Sequence, residues 1–229
     1  VTIAQPRGRR LDLVQSLHAS TKRDYIARVV EHDKAECAMV ASQFGADYWD
    51  GERRFGYGGY HYDGRWATLA ERLAGEYGLR AGQRVLDVGC GKGYLLYELT
   101  RTVPGIEIVG LDISRYALDH AKPEVAESLV EGDAAALPFA DASFDLVVSL
   151  GALHNLPISG LFAAIGEIER VTKPTGGAYV MVESYRDERE KANLLYWQLT
   201  CKSFYGVDEW AWIYAHLGYR GDYGFIFFT

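Results

Sequence analysis

Arg84-Val85-Leu86-Asp87-Val88-Gly89-Cys90-Gly91-Lys92-Gly93-Tyr94-Leu95-Leu96 is an apolar run, a glycine turn and a helix start, joined without a break. The run from Val85 to Val88 is mostly β-branched or aliphatic, as in a strand buried on both faces. Gly89, Gly91 and Gly93 allow a tight turn and the close approach of a ligand, since no Cβ stands in the way. The helix expected from Tyr94 to about Arg101 aims its free N–H groups at whatever lies over the glycines. The dinucleotide fingerprint G-x-G-x-x-G would need a glycine where Tyr94 stands, so the spacing argues against it. An acid, Asp87, sits inside the strand end instead. A carboxylate there repels a pyrophosphate but suits a ligand carrying an amine or a sulfonium.

Downstream, Ile106 to Leu111 is a second apolar strand, and it ends in Asp112, placed to accept hydrogen bonds from the two hydroxyls of a ribose. Val85 to Gly93 resembles motif I of the class I S-adenosylmethionine-dependent methyltransferases. Three further segments are similar to that family in order. They are Val109 to Ser114, then Gly132 to Phe139 with Ser143 to Val147, and Glu169 to Gly177, which carries one extra residue, Thr175. Four ordered motifs over roughly Leu79 to Glu183 make the resemblance specific. The subfamily it looks closest to is the small-molecule methyltransferases related to quinone-biosynthesis enzymes. The resemblance implies that Asp87, Gly89, Cys90, Gly91 and Gly93 line the methionine part of S-adenosylmethionine. It implies Asp112 for the ribose, Ile113 against adenine, Asp133 for the adenine amino group and the Ala134 backbone for the ring. An ordinary turn acid is the alternative for Asp133.

The loop after the fourth strand runs from Ser149 through Leu150 to Pro157, and in the family it faces both the sulfonium and the acceptor. His154 there is a candidate general base near neutral pH, weighed evenly against a histidine that hydrogen-bonds a lid or caps the next helix. Asn155 is not followed by the pattern of amino-group methylation on nucleobases. Glu183 and Tyr185 follow the fifth strand within reach of an acceptor, the alternative for Glu183 being pairing with Arg186 or Arg189. His61 is a third base candidate.

His61 belongs to the most unusual stretch in composition. Phe44 to Trp66 interleaves Tyr48, Trp49, Phe55, Tyr57, Tyr60 and Tyr62 with six glycines, too many for a long helix. A packing flap is one reading; a lid over the site is favoured, because tyrosine offers an apolar face, a hydroxyl and cation–π attraction for a sulfonium. Tyr57, Tyr60 and Tyr62 are therefore expected at the substrate, with Asn155 and Tyr185. Asp47, Asp50 and His61 match no metal spacing, and no metal is expected.

The remaining features set bounds. With 229 residues, 48% of them hydrophobic, the chain can build one large α/β domain with an appended cap. A formal net charge of -7 argues against nucleic acid as the main partner. Three cysteines, Cys37, Cys90 and Cys201, without metal-like spacing fit a reducing cytosol, and no run is long and apolar enough for a membrane span. Val1 to about Arg10, with Pro6, Arg7, Gly8, Arg9 and Arg10, reads as a mobile solvated arm. Two or three short helices are expected from Leu11 to Phe44, one of them capped at Ser20-Thr21. Strand and helix then alternate, which predicts a doubly wound, mostly parallel sheet. The expectation is an α/β fold with seven strands, the last antiparallel over Tyr223 to Phe228. Residues 1–78 form a helical cap with the aromatic lid, and 79–229 the cofactor-binding domain. The function expected from the resemblance is methyl transfer to an oxygen or nitrogen of a small polar molecule, yielding S-adenosylhomocysteine. Alternatives are a protein or RNA methyltransferase and a non-catalytic binder of the cofactor, and a homodimer is left open.

Overall fold

The apolar run ahead of the glycine turn forms β1 (Arg84–Val88), and β1 lies in the middle of the sheet. The other strands are β2 (Glu107–Asp112), β3 (Leu129–Glu131), β4 (Phe144–Leu150), β5 (Thr172–Glu183) and β6 (Asp222–Ile226). The computed structural model describes residues 5–14 and 23–229. Among these residues the sheet has six strands in the order β3-β2-β1-β4-β5-β6, all parallel.

Successive strand residues feed opposite cores, as the two-residue period requires. Leu86, Val88, Val147 and Val180 pack on one face with Ile165 and Ile168 of α7 (Ile158–Val171) and Trp210 of α9 (Val207–His216). Val85, Leu146 and Val148 pack on the other with Leu69 and Leu73 of α4 (Ala67–Tyr77) and Leu96 and Leu99 of α5 (Tyr94–Thr102). Burial on both faces is why these strands read as near-continuous apolar runs.

The remaining helices are short. α1 (Ala27–Val30) and α2 (Lys34–Ala41) precede the aromatic stretch and α3 (Ala46–Trp49) opens it; α6 (Arg115–Asp119) follows β2 and α8 (Glu188–Trp197) follows β5. Asp33 caps α2 by accepting from the N–H groups of Ala35 and Glu36. The cap expected at Ser20-Thr21 lies outside the described residues. In β5, Phe144 pairs with Thr172 but Leu146 pairs with Gly177, so the Pro174-Thr175-Gly176 turn, with its extra residue, is absorbed as a bulge.

Two expectations are corrected. The last strand is parallel, pairing Tyr179 with Asp222 through Glu183 with Ile226, and six strands are seen where seven were expected. The crossover through α9 brings the chain back in the direction of β5, whereas an antiparallel strand would need a hairpin. The arginine-rich N-terminal stretch is not a free arm either. Tyr223 donates its N–H to the Arg9 carbonyl, Leu11 donates to the Tyr223 carbonyl at 2.8 Å, and the Arg9 guanidinium meets Asp222 at 2.7 Å. The outer edge of β6 carries backbone groups that need partners, and this segment supplies them.

The strand order reverses between β1 and β4, and in open parallel sheets the crevice at that switch point receives ligands. The glycine loop leaves β1 on one side of it, and Leu150-Gly151 leaves β4 on the other.

Candidate active site

The glycine loop is held from beneath by backbone bonds. Gly89 and Cys90 both donate to the Leu111 carbonyl, at 2.7 and 3.1 Å, which ties the end of β1 to the end of β2. Asp112 then accepts from the Gly91 N–H at 2.7 Å on one oxygen and from the Ser114 N–H at 2.8 Å on the other. Each oxygen keeps a second lone pair, so the carboxylate can still take ribose hydroxyls. Cys90 packs its sulfur against Gly110, and burial pushes its thiol well up, in keeping with a filler rather than a nucleophile.

Asp87 is buried, and its Oδ1 has no hydrogen-bond partner among the described residues. Burial, and then the charge of Asp112, push its carboxyl up to about 7. A buried acceptor with no donor is costly, and an ammonium beside it would relieve both the missing bond and the repulsion. Ile113 is 57% exposed next to Asp112, a flat apolar surface for an adenine ring. Asp133 is exposed and accepts from the Ala135 N–H on Oδ1 at 2.8 Å, the ordinary turn role, which leaves Oδ2 for a ligand. Ala134 is half-buried beside it. The residues present fit S-adenosylmethionine: Asp87 for the amine, Asp112 for the ribose, Ile113 and Asp133 for the base.

The aromatic loop closes over this cradle. Trp49 donates its indole N–H to Ser114 Oγ at 2.8 Å and lies directly over the loop. A methyl group on Gly91, whose φ is 55°, would come within 2.8 Å of the Trp49 ring. Tyr57 stacks on the outer face of Trp49, with ring centroids 5.2 Å apart at 15°. Lys92, only 3% exposed, is clamped to the carboxylate of Asp50 at 2.7 and 2.8 Å and to the Tyr60 carbonyl at 3.0 Å. Tyr116 also donates to Asp50, at 3.0 Å. Burial pushes the Asp50 carboxyl up, but its bonds to Lys92, Tyr60 and Tyr116 outweigh that and hold it below its ordinary value. The loop is latched to the cofactor cradle by a salt bridge.

Beyond Trp49 and Tyr57 lies a cavity of about 570 Å³. Leu150, His154, Asn155 and Glu183 reach it from the carboxyl ends of β4 and β5, and Tyr57, Tyr60 and His61 from the loop. His61 is exposed at this wall. Asn155 accepts from Thr200 Oγ1 at 2.9 Å. Tyr62 and Tyr185 lie outside the lining: Tyr62 bonds Glu98, and Tyr185 bonds Glu209 at 3.3 Å.

His154 and Glu183 form a pair. His154 is 2% exposed, and burial pushes its imidazole down to about 3, so it is neutral at ordinary pH. Its Nδ1 faces the Glu183 backbone N–H at 3.4 Å, which places its proton on Nε2, 3.4 Å from Glu183 Oε2. Gln198 also donates to Oε2. Burial pushes the Glu183 carboxyl up to about 8, against the opposing pull of Arg23 and Gln198. The ionisable group poised near neutral pH is therefore the carboxyl, with the histidine orienting it.

Sequence reasoning missed Asp50 and Lys92 as a latch and Trp49 as a cover for the glycine loop. It also missed three arginines on the cavity wall, Arg23, Arg28 and Arg53. A lysine within the glycine loop facing an acid-rich, aromatic stretch was the one available hint of the latch.

Residues 85–176 match the family described as a methyltransferase domain. The chain is 39% identical over 119 residues to a demethylmenaquinone methyltransferase of Staphylococcus aureus, covering 50% of this chain and 48% of that one. It is 35% identical over 127 residues to the 27-O-demethylrifamycin SV methyltransferase of Amycolatopsis mediterranei, covering 51% and 46%. The chain thus spans about half the length of the curated relatives it matches. Among solved structures, the YcgJ protein of Bacillus subtilis superposes with a TM-score of 0.56 at 24% identity over 68% of each chain, a likeness of fold. Residues 85–176 are therefore a methyltransferase domain, and the sheet order and the glycine loop with its two strand-end acids resemble those of the class I S-adenosylmethionine-dependent methyltransferases.

Proposed function

We propose that the protein transfers a methyl group from S-adenosylmethionine to an oxygen or nitrogen of a small polar molecule held in the cavity. The observation that carries this reading is a cavity of about 570 Å³ at the carboxyl ends of β4 and β5, walled on one side by the latched loop. That volume suits a small ligand, whereas a macromolecular acceptor needs an open groove. The names of the two curated relatives, a menaquinone-precursor and a rifamycin methyltransferase, point the same way.

The cofactor, when bound, supplies a methyl group already activated on a positive sulfur. The chain's own part is alignment and proton removal. Asp87 and Asp112 fix the two ends of the cofactor relative to β1 and β2. Tyr57 and Tyr60 line the cavity and offer ring faces to a cation. Glu183, oriented by His154 and Gln198, accepts the proton that an O–H or N–H acceptor loses as the new bond to carbon forms and the carbon–sulfur bond breaks. Incubation with methyl-labelled S-adenosylmethionine and a cell extract tests the reading. Label in the small-molecule fraction supports it, label in protein or RNA overturns it, and binding with no transfer favours a non-catalytic role.

A further inference from the structure

Four arginines and one carboxyl group, Glu183, line the cavity among the described residues. This is the reverse of the chain as a whole, whose net charge is -7. Arg65 is paired with Asp63, but the other three converge elsewhere. The guanidinium carbons of Arg28, Arg53 and Arg23 lie 5.1, 5.2 and 5.4 Å from the centre of one indole, that of Trp197.

The hydrogen bonds of Arg28 and Arg53 leave their positive charge uncompensated. Arg28 donates to the carbonyls of Trp197 and Arg53, at 3.3 and 2.6 Å, and Arg53 donates to those of Gly56 and Tyr57, at 2.9 and 2.8 Å. All four acceptors are neutral. Burial, and then the charge of Arg53, pulls the Arg28 guanidinium below its ordinary value, and burial does the same to Arg53. Cations gathered and partly dehydrated at one wall repel each other, and an oxyanion between them removes that cost. A guanidinium is the group best shaped to bind a carboxylate or phosphate through two parallel N–H bonds.

We propose that the methyl acceptor carries an oxyanion, a carboxylate or a phosphate, bound by Arg28 and Arg53 against Trp197, with its reacting atom toward Glu183. This deepens the methyltransferase reading and rests on it for the word acceptor; the anion site itself stands on the arginines. In this assignment the two arginines set specificity: neutral and cationic molecules of the same size are rejected because they leave Arg28 and Arg53 without an anion.

The test has two arms. In the first, a cell extract is passed over an anion exchanger at neutral pH, and retained and unretained fractions are each assayed with methyl-labelled S-adenosylmethionine. Acceptor activity is expected in the retained fraction, and its loss after phosphatase treatment assigns a phosphate, its survival a carboxylate. Arg28→Gln and Arg53→Gln should each raise the acceptor KM at least tenfold and leave the KM for S-adenosylmethionine unchanged. Acceptor activity confined to the unretained fraction, indifferent to both substitutions, overturns the anion site but keeps the methyltransferase. The second arm needs no turnover: thermal midpoints in inorganic phosphate are compared with those in chloride at equal ionic strength. Phosphate should raise the midpoint of the native chain and not of an Arg28→Gln/Arg53→Gln double variant. Equal shifts in both would overturn the anion site, whatever the outcome of the transfer assay.

Discussion

Replacing Glu183 by glutamine should make the protein more stable at high pH and nearly inactive. The carboxyl is 8% exposed, and burial lifts it from 4.5 to about 8. A carboxyl raised in the folded state holds its proton more tightly there than in the unfolded chain. Its share of stability is therefore present below pH 4.5 and is lost as pH climbs to 8. At roughly 1.4 kcal/mol for each unit, that loss is on the order of several kcal/mol by pH 9. Glutamine has the same shape and an oxygen to accept from His154 and Gln198, but no charge to bury. A domain of this size gains about 2–4 °C per kcal/mol, so Glu183→Gln should melt roughly 10 °C or more above the native chain at pH 9 and level with it at pH 4. Turnover should fall in the opposite sense. A positioned base contributes about 10²–10⁴-fold, and the native rate should rise with pH through a midpoint near 8 and level off above it, a limb the variant lacks. The checks are melts across pH 4 to 9 and kcat/KM over the same range for an acceptor losing a proton. A variant that keeps both the native rate and the rising limb, or that gains nothing at pH 9, would refute the reasoning.

Other expectations follow from the cradle and its latch. Asp112→Ala should weaken S-adenosylmethionine binding at least tenfold by calorimetry, since a hydrogen bond to a charged group contributes about 1.5–3 kcal/mol. Asp87, held at about 7 in the absence of a cation, should make cofactor affinity climb as pH rises through 7; proton release on binding, seen in buffers of different ionisation enthalpy, checks it, and Asp87→Asn should abolish the slope. Lys92→Met leaves Asp50 without its cation. It should cost about 2 kcal/mol, less than the roughly 3–5 of a fully buried pair because Asp50 keeps some water, and proteolytic nicking between Gly51 and Gly64 should accelerate. His154→Gln keeps a donor toward Glu183 and should lower kcat less than Glu183→Gln does.

The sheet and the glycine loop were legible because their signals are local. Val85 to Val88 and Phe144 to Leu150 are apolar runs, and the glycines at 89, 91 and 93 sit in the turn they make possible. The strand-end acids Asp87 and Asp112 could be placed at one crevice from chain order alone. Direction and pairing at the sheet edge could not. Whether Tyr223 runs with or against Tyr179 depends on the path of α9, and whether Arg9 is solvated depends on finding the open edge of β6. The His154–Glu183 pair was legible in its members but not in its arrangement. His154 looked like the base because an isolated imidazole titrates near neutrality; burial drives it down and Glu183 up, and burial is a property of the assembled core. The arginine cluster was invisible for a similar reason. Arg23, Arg28 and Arg53 meet Trp197 only because α1 packs on α8, across most of the length of the chain.

The most direct test of the account is a crystal structure of the protein with S-adenosylhomocysteine and its acceptor. The account predicts the amine of the cofactor product at Asp87 Oδ1, its ribose on Asp112, and its sulfur open to the cavity, with the acceptor between it and Glu183. A cofactor product bound away from the glycine loop, or on it with its sulfur walled off from Glu183, would contradict the account.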